Sequence, residues 1–172
     1  MSTPNPSDAL AEVVAKQAIT EVIYGYCRAL DRMDKPAAYA VWHPDGTADY
    51  GEDIYQGTGH GFVDWVWTAH AAMSTHSHQV TNILIQVDGD RATSESYVTV
   101  ALRTLADETG AAHDIFSRGR YLDRWSNRSG RWAIDQRTYV TDHSLTQPNT
   151  LPEPHDPRSI RGPDDPSVAL FA

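Results

Sequence analysis

The chain has 172 residues, 40% of them apolar and 22% charged, and a formal net charge of −9. That length suits one ordinary domain, which buries roughly 70% of its unfolded surface and can close a pocket without disulfides. The negative charge, unrelieved by any Lys/Arg stripe, speaks against nucleic acid and anionic membranes as partners; a single cysteine excludes an intrachain disulfide, and no apolar run approaches the ~20 residues of a membrane span, so a cytoplasmic setting is expected.

Ser7 and Asp8 can cap a first helix, because Leu10, Val14, Ala18, Val22 and Tyr26 recur every four residues up to about Asp31. Cys27 falls inside it, where a lone cysteine reads as a small buried hydrophobe. Lys35–Pro36 opens a short second helix, "PAAYAVW", which stops at an expected turn, "HPDG", residues 43–46. "TADYG" is short and β-like. The following "YQGTGHG" lacks the glycine spacings of a phosphate cradle and implies no nucleotide. "FVDWVWTAHAAM", residues 62–73, carries Phe62, Val66, Ala69 and Met73 at helical spacing and makes a third helix bearing His70.

The period then changes to two in four segments, "HQVTNILIQV", "RATSESYVTVALRTL", "DIFSRGRYLDRW" and "GRWAIDQRTYVTDHS", separated by hairpin-like turns. After Ser144 the chain turns Pro-rich and polar. Residues 1–144 therefore read as the domain, and residues 145–172 as a tail that wraps over the domain or a neighbouring subunit or is partly disordered. Three N-terminal helices followed by a meander predict an α+β fold in which the helices pack in a curved, mostly antiparallel sheet shaped as a cone-like barrel, with a pocket at its open end.

Chemistry concentrates in "THSHQVTN", residues 75–82. His-x-His on a strand points two imidazoles to one face. Such a pair can hold a metal, act as a base, or be structural. The next residues, Gln79 to Asn82, offer no carboxylate ligand, so no metal is assigned. A catalytic histidine benefits from a carboxylate that fixes its tautomer, and Asp31 in "YGYCRALDRMD" is the candidate; the alternative is a solvated acid at a helix end. With no bulge, strand alternation puts His78, Val80 and Asn82 on one face and Arg137 opposite the face of Trp132 and Ile134.

The segments "YCRALDRMD", "HQVTN", "RGRYLDRW" and "GRWAIDQR" resemble the SnoaL-like branch of the nuclear-transport-factor-2-like superfamily, over about Asp8 to Ser144. Within it the chain is most similar to bile-acid 7α-dehydratase, scytalone dehydratase and hexachlorocyclohexane dehydrochlorinase. The resemblance implies an Asp–His dyad of Asp31 and His78, the latter because it begins the "HxxTN" stretch. It also implies Arg137, at "W-x-x-x-x-R" spacing, and Tyr26, five residues before the helix Asp; Arg137 could equally pair with Asp135 or another acid, and Tyr26 could simply line the pocket. The dehydrochlorinase has Lys where Tyr26 stands, which weakens the case for chloride elimination. Tyr50 and His113 are plausible counterparts of further scytalone dehydratase groups.

The expected reaction is cofactor-free proton abstraction from carbon, giving dehydration or isomerisation, with aldol cyclisation and a non-catalytic binding or assembly module as alternatives. Trp65, Trp67, Tyr50 and Tyr97 would line a pocket for a steroid, terpenoid or polyketide ring. A homo-oligomer, dimer or trimer, would cover the outer sheet face.

Overall fold

In the computed structural model, which describes residues 5–149 and 158–171, helix α1 spans Pro6–Asp31. Its cap is Asn5, whose side chain accepts from the Ser7 N–H, with Pro6 pre-set in the first turn; the cap therefore lies two residues before Ser7. Only the C-terminal half of α1 is buried, through Ile19, Ile23, Tyr26, Cys27 and Leu30. Helix α2, Lys35–Ala40, is capped by Asp34, and helix α3, Gly59–Ala71, by Thr58.

Six strands form one open sheet: β1 (Trp42–Asp49), β2 (Gln56–Thr58), β3 (Met73–Asp88), β4 (Arg91–Thr104), β5 (Ala112–Arg128) and β6 (Arg131–Asn149), in the order β2-β1-β6-β5-β4-β3. All neighbours are antiparallel except β1 and β6. The "HPDG" segment is not a turn, as expected from its composition, but a register break inside β1 between Trp42 and Thr47. Parallel pairing with β6 overrides the local turn preference, and Gly46 lets the backbones meet: a Cβ there would sit 2.7 Å from the Ile134 carbonyl oxygen.

The sheet's concave face holds the core, where α1 and Phe62, Val63 and Val66 of α3 pack on Trp42, Val98, Tyr121, Trp125 and Ile134. Two bulges set which side chains reach that face. In β3 the register shifts between Thr81 and Leu84 around Asn82, whose φ of 50° is left-handed, so Ile83, Ile85 and Val87 continue the inward stripe in place of Asn82. In β6, Trp125 pairs with Ile134 and Arg124 with Gln136, leaving Asp135 as the extra residue. Simple alternation fails there, and Arg137 turns to the same buried face as Ile134.

Strand β6 continues past Ser144, where the sequence pattern had suggested an end. Residues 144–149 pair with Ala112–Ser117 of β5. The described C-terminal residues, 158–171, fold back over the end of α1 and contain the short helix α4, Pro166–Leu170. The tail expected from residue 145 otherwise falls on residues 150–157 and 172, outside the described residues.

Candidate active site

Strand β3 is an edge of the sheet, so one row of its backbone N–H groups faces away from β4. Asp31, the last residue of α1, meets that edge. Its Oδ2 accepts from the His78 backbone N–H at 3.0 Å, and its Oδ1 lies 2.6 Å from His78 Nδ1. A carboxylate at a helix C-terminus is disfavoured by the helix dipole, and two donors from one residue offset that cost. Both side chains are largely buried, 13% exposed for Asp31 and 5% for His78. A carboxylate can only accept, so it fixes Nδ1 as the donor of this bond and turns Nε2 away from it. Nε2 makes no hydrogen bond among the described residues.

The other histidine of the motif does something different. His76 is buried, packs on His70 of α3 with ring centroids 4.1 Å apart, and presents Nε2 to Arg161 Nη1 at 3.0 Å. Arg161 also donates to the His70 carbonyl oxygen at 2.9 Å. Burial, aided by neighbouring cationic and imidazole groups, lowers His70 to a pKa of about 3 and His76 to about 4, so both are neutral near pH 7. His70 also lies 6.0 Å, centroid to centroid, from His78.

Behind the dyad, the interior of the cone is filled by aromatic rings around one guanidinium. Arg137 is fully buried and bonds Asp123 through Nε and Nη2, at 2.7 and 2.8 Å. The acid it pairs with is thus on β5; Asp135 instead bonds Arg91, Arg128 and Ser126. The guanidinium carbon lies 3.9 Å from the ring centroid of Tyr121 and 4.7 Å from that of Tyr26, and Nη1 makes no hydrogen bond of good geometry among the described residues. Tyr26 is buried, and burial raises its pKa well above the usual phenol value; its hydroxyl lies 3.4 Å from that of Tyr50, whose ring stacks on Phe62 at 3.8 Å. Burial likewise pushes the Cys27 thiol up to about 12, so it carries no thiolate.

Three of the expected pocket residues lie elsewhere. Tyr97 is on the outer sheet face because β4 turns Ser96 and Val98 inward, and it is 42% exposed. His113 is exposed at the far end of β5, and Trp65 is partly exposed against Phe62 and Tyr55. Tyr50 joins the inner cluster, through Tyr26, and Trp67 packs partly buried against the core.

A cavity of about 290 Å³ opens on the dyad, lined by Tyr24, Cys27, Arg28, Asp31, Arg32, His78 and Val80. A groove of about 670 Å³ crosses the outer sheet face from Thr47 to Gln86 and contains neither Asp31 nor His78; Arg91 and Arg128 in its wall pair with Asp45 and Asp135. Sequence reasoning missed Asp123 and Arg161. Asp123 left a signal, since it falls between Tyr121 and Trp125 in a period-two strand, an acid at an inward position. Arg161 left none: only the return of the C-terminal segment places it.

Residues 11–138 match the SnoaL-like domain. The chain belongs to this family. With it comes membership of the nuclear-transport-factor-2-like superfamily, whose cone-shaped α+β fold the open six-stranded sheet reproduces. Similar solved structures include a scytalone-dehydratase-like protein from Novosphingobium aromaticivorans, 21% identical with a TM-score of 0.68 over 77% of this chain and 87% of that one. A hexachlorocyclohexane dehydrochlorinase from Novosphingobium barchaimii is 17% identical, TM-score 0.68, over 84% and 97%. The β subunit of an aromatic-ring-hydroxylating-dioxygenase-type protein from N. aromaticivorans is 19% identical, TM-score 0.59, over 76% and 90%. At these identities the likeness is one of fold. No curated protein sequence matches the chain significantly. Among the described residues of this SnoaL-like protein no helix is long and apolar enough to cross a membrane.

Proposed function

We propose that this SnoaL-like protein is a cofactor-free lyase of dehydratase type, or an isomerase, acting on a hydrophobic cyclic substrate. The observation that carries the reading is the pairing of His78 Nδ1 with Asp31 at 2.6 Å, which leaves Nε2 as a base beside a cavity. His78 takes a proton from a carbon next to a carbonyl or conjugated system, and Asp31 stabilises the imidazolium that forms. The same imidazolium can return the proton, to a departing hydroxyl in dehydration or to another carbon in isomerisation. Tyr26, kept neutral by burial, is a donor for the substrate oxygen, and Nη1 of Arg137 faces the same aromatic cluster; reaching either requires the inner tyrosines to make room. Lyases among the similar folds support this reading.

The test needs no knowledge of the natural substrate. The protein is incubated in D2O with a panel of cyclic ketones and β-hydroxyketones, and NMR follows deuterium entry at the α-carbon and loss of water. Exchange by the wild type that vanishes in a folded His78→Ala variant supports the dyad; equal exchange by both proteins sinks it. Ring closure in place of water loss would assign the aldol-cyclase alternative, which starts from the same abstraction.

A homo-oligomer is part of the same proposal. Ala101, Phe116 and Leu145 are opposed across β4, β5 and β6 on the outer face, where Phe116 and Leu145 are exposed, and a second copy would cover this apolar row. Sedimentation of wild type against Phe116→Lys checks it: a smaller species for the variant is expected, and a monomeric wild type refutes it.

A further inference from the structure

Arg28 and Arg32 sit one turn apart near the end of α1 and both line the dyad cavity. Among the described residues, neither guanidinium bonds anything in the body of the domain. Arg32 donates to the Asp165 carboxylate at 2.9 Å and to the Ile160 carbonyl oxygen at 3.2 Å. Arg28 reaches the carbonyl and hydroxyl oxygens of Ser167, both at 3.4 Å, and lies 5.1 Å from the Phe171 ring centroid. Every one of these partners belongs to the C-terminal segment, 158–171. Two arginines that face a reacting centre are thus satisfied by a carboxylate and an aromatic ring brought from elsewhere in the chain.

The two guanidiniums also join two cavities. The second, about 650 Å³, is lined by Arg28, Arg32, Arg158, Ser159, Asp165, Pro166 and Ser167 and adjoins the 290 Å³ dyad cavity through the first two. Arg28 and Arg32 face the two carboxylates Asp31 and Asp165 across this joint space. Tyr24, Cys27 and Val80 supply apolar wall next to the charged rim. Such a lining suits a ring carrying one carboxylate.

We propose that Arg28 and Arg32 are specificity-determining residues that bind a carboxylate on the substrate, and that the Asp165 carboxylate, held by Arg32, occupies that carboxylate's place until substrate displaces it. The proposal rests on the dyad being the reacting centre and narrows its substrate class to cyclic carboxylic acids. Arginine suits the role because its planar fork meets a carboxylate with two parallel hydrogen bonds. The intramolecular carboxylate competes with the incoming one, so the apparent affinity is reduced by the fraction of molecules in which Arg32 is already taken. The retained segment stays tethered through Arg161, which bonds His70 and His76 independently of Arg32.

The test is equilibrium binding of 2-naphthoate and of its neutral isostere 2-naphthamide to the full-length protein, followed by ligand fluorescence. Wild type should prefer the acid, and Asp165→Asn should bind naphthoate roughly tenfold more tightly with little change for the amide. The double variant Arg28→Gln, Arg32→Gln, checked for an unchanged fold by circular dichroism, should lose the preference. Equal affinity for acid and amide in both wild type and Asp165→Asn overturns the proposal, as does binding of neither compound, or a preference that survives in the double variant. His78→Ala is expected to keep the carboxylate preference while losing deuterium exchange. A His78→Ala protein that still exchanges would sink the dyad without touching this result, so the two failures are told apart.

Discussion

Asp31 holds the ring and the backbone of one residue at once, which fixes His78 in position as well as in tautomer. Asn at position 31 can still accept one bond but can no longer stabilise an imidazolium. Asp31→Asn is therefore expected to slow deuterium exchange by about 10²–10⁴-fold with the fold intact, measured by the same NMR assay. Asp123 plays the equivalent part for Arg137, but in a sealed aromatic cage. Asp123→Asn leaves that guanidinium charged with no anion beside it, and the expected loss is about 3–5 kcal/mol of unfolding free energy, read from urea denaturation. Of these residues, Asp31, His78, Tyr26 and Arg137 were singled out in the chain by their resemblance to family motifs. Asp123 was legible only as an acid sharing the inward phase of Tyr121 and Trp125, and its partner could not be named from a single strand.

At the scale of elements, the bulges at Asn82 and Asp135 decide which face the site strands present. Period-two reading places Asn82 with His78 and Val80, and Arg137 opposite Ile134; one inserted residue in each strand, Asn82 in β3 and Asp135 in β6, reverses both statements. A bulge is specified by pairing with a neighbour strand, which no local pattern records. The same holds for "HPDG", whose turn-forming residues are carried into β1 by its parallel partner β6. Helix α3 meets β1 with little clearance: a Cβ on Gly59 would fall 2.2 Å from the Trp42 ring. Gly59→Ala should therefore cost about 1–3 kcal/mol through displacement of that indole, seen as a lowered thermal midpoint. An unchanged midpoint would mean that α3 can shift away from β1 at no cost.

Across the whole molecule, the C-terminal segment is coupled to the domain through neutral histidines. His70 and His76 have folded pKa values of about 3 and 4 against 6.5 for the free side chain. Both values are depressed, so below about pH 6.5 the unfolded chain binds more protons than the folded one. Their contribution is present above that pH and declines as pH falls toward 4 and then 3. Thermal midpoints should accordingly drop over this range. The acid limb should be shallower in His76→Gln, which keeps an acceptor for Arg161 but cannot be protonated; a limb of unchanged steepness would show that His76 is not responsible. Protonated His76 would also repel Arg161, so release of residues 158–171, followed by limited proteolysis, should accompany the same decline.

Asp31 and His78 were picked out by resemblance to a family motif, whereas the class of fold and the order of most of its elements are written in the sequence, because helical spacing and strand alternation are local properties of the chain. Residues 158–171 show what is not. Nothing near Arg161 or Asp165 in the chain tells that one seats against His76 and the other against Arg32, since these contacts join residues 85 and 133 positions apart. The burial that neutralises His76, the inward turn of Arg137 and the carboxylate at the mouth of the site arise only when distant segments share one space. They were decided by packing and by the pairing of charges in that space, which have no period along the chain.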